Sequence, residues 1–116
     1  MHNLGPQIPA IEITDIAQEL ERGSILIDVR EQHEWDAGHA PDALHFPLQR
    51  LHTMHTELSA GTRYLAICRS GSRSRVAAEL LLRLGYTAVN VRGGMLAWEE
   101  AGYPVQSHEG SPGSVL

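Results

Sequence analysis

A chain of 116 residues that is 42% hydrophobic and 20% charged, with a net charge of −5 at pH 7, has room for one hydrophobic core, so we expect one globular domain. Its single cysteine excludes an internal disulfide and a second thiol that could resolve an intermediate formed on the first. The acidic balance argues mildly against nucleic acid as a partner. No apolar run approaches the ~20 residues of a membrane span. The N-terminus also lacks the basic and apolar regions of an export signal. We therefore expect a cytoplasmic protein without membrane contacts.

Strand-like and helix-like segments alternate along the chain. An extended lead-in over residues 8–13 precedes a helix over 15–22, which Thr14 is predicted to cap and Gly23 to end. The later segments are strands over 25–29, 43–46, 64–67 and 88–91, and helical segments over 31–36, 48–58, 75–84 and 95–101. This alternation predicts an α/β domain with an open, mostly parallel sheet and helices on both faces. We expect the domain to span residues 8–105, and the polar residues 106–116, rich in Gly, Ser and Pro, to form a flexible tail.

The seven residues CRSGSRS join the third buried strand to the helix that follows it. This order directs main-chain N–H groups and the positive end of the helix into the loop that begins at Cys68. Arg69, Arg73 and Arg75 add positive charge in an otherwise acidic chain. Because these features favour the ionised form of a thiol, the loop indicates a reactive cysteine on an anion-binding site.

Each position of this loop has a predicted role. Cys68 is the candidate catalytic nucleophile, and the two loop arginines would offset the repulsion between its thiolate and an anionic substrate. The small residues in the middle let the backbone curl without filling the bowl. Ser74 either donates to the sulfur or caps the helix, and we favour capping. The predicted substrate-binding residues are Arg69, Ser70, Gly71, Ser72, Arg73 and Ser74.

Other polar residues have simpler interpretations. Asp28 and Arg30 follow a buried strand and are expected to form an ion pair or hydrogen-bond network that ties the strand end to a neighbouring loop. Glu34 is a candidate member of the same network. The seven histidines follow no usual ligand spacing, so we expect neither a metal site nor a cofactor. His39 is expected to stabilise its own turn.

Three motifs resemble the signatures of rhodanese-like domains. The cysteine loop resembles the active-site loop of that family, and two further motifs flank it at matching separations. The opening motif is Ile25-Leu26-Ile27-Asp28-Val29-Arg30 with Glu34-Trp35 and Gly38-His39-Ala40-Pro41, and the closing motif is Arg92-Gly93-Gly94-Met95 with Trp98. The similarity extends from Ile11 to Val105, which is nearly the whole predicted domain.

The resemblance implies sulfur transfer. In this family the loop cysteine takes a sulfane sulfur from a small anionic donor such as thiosulfate, holds it as a persulfide, and passes it to cyanide, a thiol or a partner protein. Relatives of the same fold act as phosphatases or arsenate reductases, and others are non-catalytic interaction modules. The phosphatase loops follow the spacing C-x5-R, whereas this chain has Ser74 at that position and Arg73 one residue earlier. This shorter loop favours a bowl for one sulfur atom. The physiological donor and acceptor and the oligomeric state stay open.

Overall fold

A computed structural model describes residues 7–116 and contains a five-stranded parallel sheet. The strands stand in the order β1-β5-β4-β2-β3, and every pair of neighbours is parallel. The elements are β1 (Ala10–Ile11), α1 (Ile16–Glu21), β2 (Ile25–Asp28), α2 (Gln32–Ala37), β3 (Leu44–His45), α3 (Leu51–Met54), β4 (Arg63–Ile67), α4 (Ser72–Arg83), β5 (Thr87–Val91) and α5 (Gly94–Glu100). The predicted α/β class and parallel sheet are confirmed.

The sheet separates two hydrophobic clusters. Because side chains alternate along a strand, Leu65 and Ile67 of β4 enter one cluster, while Tyr64 and Ala66 enter the other. Helices α1 and α5 cover the first cluster, and α3 and α4 cover the second. Both faces of the central strand β4 are therefore buried, which explains why its sequence is almost continuously apolar.

Two helix starts differ from the prediction. Thr14 does not cap α1; it lies inside a 3-10 turn over Ile13–Asp15, and a capping box between Glu12 and Asp15 begins that turn. Helix α4 begins at Ser72 rather than at residue 75. Its first turn therefore contains the last residues of the cysteine loop. The pattern of apolar residues missed this start because the first turn of α4 is polar.

The C-terminal segment, residues 106–116, for which we predicted flexibility, lies against the domain in the structure. Gln106 exchanges two main-chain hydrogen bonds with His39, each 2.9 Å long. The N–H of Ser114 donates to the carbonyl of Ala37 at 3.0 Å. Gly38 permits this approach, since a side chain there would collide with the backbone of Ser114.

No helix among residues 7–116 is both long enough and apolar enough to span a bilayer. Residues 1–6, on which the expectation of no export signal depends, lie outside the part of the chain that the structure describes.

The substitution Gly38→Ala tests whether the C-terminal segment is packed in solution. The new Cβ would lie 2.7 Å from the Ser114 nitrogen and 2.7 Å from a methyl group of Val105, so the segment must move away. We expect faster proteolysis within residues 106–116 and a loss of roughly 1–3 kcal/mol in the free energy of unfolding.

Gly61→Ala is the matched control, because a Cβ at Gly61 has no neighbour within 4 Å. It should leave both measurements unchanged. If the wild-type segment is already cut as fast as in Gly38→Ala, the segment is flexible, as its composition predicts.

Candidate active site

The cysteine loop begins where β4 ends, at the carboxyl edge of the sheet. Cys68 follows Ile67 directly, and Gly71 is the residue before the first turn of α4. Gly71 has φ +112°, a left-handed conformation that favours glycine. This reversal turns the backbone around the cysteine sulfur and directs the N-terminal end of α4 toward it.

Hydrogen-bond donors surround the Cys68 Sγ atom. The Gly71 N–H donates to it at 3.1 Å, and the Ser74 hydroxyl lies 3.2 Å from it. Burial of the cysteine, which is 1% exposed, by itself raises the thiol pKa. The Ser74 hydroxyl and the N–H groups of Ser74, Gly71 and Ser70 outweigh this effect, so the pKa of Cys68 lies below its ordinary value. These hydrogen bonds, rather than arginine charge, are the leading influences that favour the thiolate.

Ser74 does not cap α4, contrary to the role that we favoured. The helix has no side-chain cap, and its N-cap residue is Gly71. Ser74 instead lies in the first turn with its hydroxyl buried between Cys68 and Asn90. Ser70 and Ser72 are exposed at the rim of the loop.

Asn90 is a residue of this site that the sequence analysis missed. It lies on β5, opposite Ala66 of β4. Its Oδ1 atom is 2.6 Å from the Ser74 Oγ, and its Nδ2 donates to the Gly71 carbonyl at 3.1 Å. A polar residue within the otherwise apolar run of β5 was the available signal.

Arg73 is held by Glu34 of α2. Its two terminal nitrogens donate to the two carboxylate oxygens at 2.7 and 2.8 Å. These hydrogen bonds from Arg73 lower the pKa of Glu34 to about 2, with a further contribution from the Glu31 N–H, although burial opposes the shift. The Arg73 side chain is 33% exposed, whereas that of Glu34 is 9% exposed. The pair therefore ties the first turn of α4 to α2.

Arg69 occupies a different position. It is exposed, and its Nε donates to the main-chain oxygen of Leu116 at 2.7 Å. The C-terminal segment thus reaches the rim of the cysteine loop. Of the two loop arginines, Arg69 is the more exposed.

The predicted ion pair between Asp28 and Arg30 is confirmed. Arg30 donates from Nε and one terminal nitrogen to both Asp28 oxygens, with the shortest contact at 2.7 Å, and the two side chains are fully buried. The same terminal nitrogen donates to the Gly38 carbonyl at 2.7 Å, which ties the end of β2 to the turn after α2. Glu34 forms its hydrogen bonds with Arg73 instead, so it belongs to the cysteine loop rather than to this pair.

Helix α5 supports the loop from the other side. The Met95 N–H donates to the Cys68 carbonyl at 2.7 Å, and the Leu96 N–H donates to the Arg69 carbonyl at 3.1 Å. Gly93 and Gly94 have φ values of +79° and +56°, which confirms the predicted tight turn between strand and helix. A side chain at Gly94 would collide with the backbone of Cys68 and Arg69.

Two of the histidines, His39 and His45, stabilise the fold. The His39 Nδ1 lies 2.7 Å from the Trp35 carbonyl, which confirms the expected stabilisation of its turn, and the two rings stack at 3.6 Å. His45 stacks on Trp35 at 4.7 Å. Within residues 7–116, no group of three His, Cys, Asp or Glu side chains is arranged to hold a metal ion.

Comparisons with known proteins agree with this architecture. A sequence model of the rhodanese-like domain matches residues 12–101. The chain is similar to a sulfurtransferase of Allochromatium vinosum, with 37% identity over 74% of this chain and 81% of the relative. It is also similar to a putative sulfurtransferase of Bacillus subtilis, with 40% identity over 70% of this chain and 79% of the relative.

A solved rhodanese-related protein from Thermoplasma volcanium superposes with a TM-score of 0.78 and 33% identity, covering 84% of this chain and 96% of that protein. The fold and the cysteine loop define a sulfurtransferase-like α/β domain. The chain belongs to the rhodanese-like domain family.

The Glu34–Arg73 pair predicts a specific pH dependence of stability. The pKa of Glu34 is about 2 in the folded protein, against a usual value of 4.5. The pair therefore stabilises the fold above about pH 4.5, and this contribution is lost as the pH falls toward 2. Glu34→Gln should lower the free energy of unfolding by roughly 1–3 kcal/mol at pH 7, and this difference from wild type should shrink steadily below pH 4.5.

Urea unfolding at several pH values measures this effect. Glu79→Gln is the control, because Glu79 pairs with Arg83 on the exposed face of α4 and should contribute at most about 0.5 kcal/mol. If Glu34→Gln and Glu79→Gln differ from wild type by the same small amount at pH 7, the pair does not stabilise the loop.

Proposed function

We propose that this protein is a sulfurtransferase that carries a sulfane sulfur as a persulfide on Cys68. The donor is thiosulfate or another persulfide, and the acceptor is cyanide, a thiol or a partner protein. The observation that carries the proposal is the buried Sγ atom, which receives hydrogen bonds from the loop and has a lowered pKa. The family membership of the chain supports the same reaction class.

The reaction proceeds in two displacements at sulfur. In the first, the Cys68 thiolate attacks the outer sulfur of thiosulfate, the S–S bond of the donor breaks, and sulfite leaves with the bonding electron pair. In the second, the acceptor attacks the outer sulfur of the persulfide, and the electron pair of the broken bond returns to Sγ. The hydrogen bonds from Gly71 and Ser74 stabilise the negative charge on Sγ before the first step and after the second.

Arg69 is proposed to bind the donor anion first. Thiosulfate carries two negative charges, and its approach to a thiolate is favourable only where positive charge offsets the repulsion. Arg69 lies at the exposed rim of the loop, whereas Arg73 already donates twice to Glu34. Arg73 therefore contributes to the shape of the loop in addition to any contact with the donor.

Mass spectrometry of the intact protein after treatment with thiosulfate tests the proposal. We expect the added mass of one sulfur atom, located on the peptide that contains Cys68, and its removal by cyanide. Cys68→Ser should fold normally, because the hydroxyl fits the space of the thiol, but should acquire no sulfur and should lose thiosulfate:cyanide activity. Activity that persists in folded Cys68→Ser, or faster turnover of an aryl phosphate than of thiosulfate by the wild type, would contradict the proposal.

The two loop arginines should differ in their effects on the two half-reactions. Arg69→Ala should lower kcat/KM for thiosulfate by about tenfold to a hundredfold, the equivalent of one lost charge-assisted contact, and should affect discharge of a preformed persulfide to a neutral thiol much less. Arg73→Ala should slow both steps, because it also releases the loop from Glu34. Arg83→Ala, at the far end of α4, is the control and should change neither. Equal losses in both steps for Arg69→Ala would mean that Arg69 holds the loop rather than the donor.

A further inference from the structure

Two acceptors compete for one proton beside the catalytic sulfur. The Ser74 Oγ lies 2.6 Å from the Asn90 Oδ1 and 3.2 Å from the Cys68 Sγ. A hydroxyl has one proton to donate, so Ser74 can donate to only one of them at a time. Ser74 is fully buried and Asn90 is 6% exposed, so bulk water is not available to the acceptor that is left without a donor.

The orientation of the Asn90 amide is fixed by its other contact. A carbonyl oxygen only accepts hydrogen bonds, so the atom that lies 3.1 Å from the Gly71 carbonyl must be the Nδ2 of Asn90. The Oδ1 atom must then face Ser74. The same Gly71 also donates its N–H to Sγ, so Asn90 contacts two of the residues that donate to the sulfur.

We propose that Asn90 is a positioning residue that controls the nucleophilicity of Cys68 by competing for the Ser74 proton. When the cysteine is a thiol, the S–H donates to the Ser74 Oγ and the Ser74 O–H donates to Asn90. When the cysteine is a thiolate, the anionic Sγ attracts the O–H, but each time the O–H turns to Sγ the buried Asn90 oxygen loses its donor, so Asn90 holds the proton for part of the time. Asn90 therefore opposes ionisation and keeps the thiolate less strongly solvated and more reactive.

If the protein transfers sulfur as proposed, competition for the Ser74 proton has opposite effects on the rates of the two displacements. A thiolate of higher pKa attacks faster once it is ionised, but it is a poorer leaving group. Asn90 thus favours attack on the donor. Ser74 favours discharge, because its proton can stabilise the charge that returns to Sγ as the acceptor removes the outer sulfur.

The pH profile of alkylation by iodoacetamide tests the proposal without any sulfur transfer. Asn90→Ala frees the hydroxyl for the thiolate, so the midpoint of the profile should fall by roughly half a unit to one unit. The plateau rate at high pH should fall about two- to threefold, since nucleophilicity falls with pKa. Ser74→Ala should raise the midpoint.

A double substitution separates this role from a structural one. If Asn90 acts through the Ser74 proton, Asn90→Ala should have no further effect on the midpoint in a Ser74→Ala background. If Asn90 acts only by holding the Gly71 carbonyl, the midpoint should shift equally in both backgrounds, and that result would overturn the proposal. Thr87→Ala, at the exposed start of β5, is the control and should leave the profile unchanged.

Asn90→Asp provides a second and opposite test. Its carboxylate accepts the Ser74 proton and adds negative charge, so the midpoint should rise where Asn90→Ala lowers it. Shifts in the same direction for both variants would contradict the proposal, and this comparison needs no assumption about sulfur transfer. Apart from the carboxylate added in Asn90→Asp, no variant changes a charged group on the elements around the loop, which include Asp28, Arg30, Glu34, Arg69, Arg73, Arg75 and Arg92.

Discussion

The burial of the Cys68 sulfur is the constraint around which the carboxyl edge of this sheet is organised. An anion that is removed from water must receive its hydrogen bonds from the protein, because an unsatisfied buried charge is strongly destabilising. Gly71 adopts a left-handed conformation, and its N–H donates one of these hydrogen bonds. Helix α4 begins early, so that Ser74 lies in its first turn beside the sulfur. Strand β5 and helix α5 then hold the loop through Asn90 and Met95. The loop after β4 and helix α4 thus contact the sulfur itself, and β5 and α5 hold the backbone around it.

The arginine side chains at the carboxyl edge of the sheet have little direct effect on the sulfur. The Arg73 guanidinium lies near the thiolate, but Glu34 takes two of its hydrogen bonds and balances its charge. The thiolate is therefore stabilised by short-range dipoles, whereas the exposed Arg69 provides positive charge at the rim. Dipoles that are fixed in place favour the anion without adding net positive charge to the loop. This division suits the proposed sulfur transfer, in which an anion leaves after each reaction with the donor.

Strands, helices and short motifs were predictable from the sequence, because they depend on periodicity or on neighbouring residues. Contacts between residues that are distant in the sequence became visible only in the structure. The apolar runs of β2, β4 and β5 and the motif from Cys68 to Ser74 were sufficient to predict the parallel sheet and the position of the cysteine loop at its carboxyl edge. The hydrogen bonds of Ser74 were not predictable in the same way, because the choice between capping and contact with sulfur depends on where α4 starts. Glu34 and Arg73 are far apart in sequence, and periodicity carries no information about pairs of that kind. Asn90 was missed for the same reason, since its partners Ser74 and Gly71 lie in the first turn of α4 and in the cysteine loop.

The depth of Cys68 also decides which sulfur atom an acceptor can reach. Sγ is almost completely buried, and this chain contains no second cysteine that could approach it from within. In the proposed persulfide the S–S bond is about 2 Å long, so an outer sulfur directed away from the core is closer than Sγ to the rim, where Ser70, Ser72 and Arg69 are exposed. In the proposed reaction, an external acceptor therefore meets the outer sulfur first and attacks along the S–S axis, with Sγ as the leaving group. Burial of Cys68 would thus expose the sulfur that the proposed reaction transfers and shield the sulfur that stays on the protein.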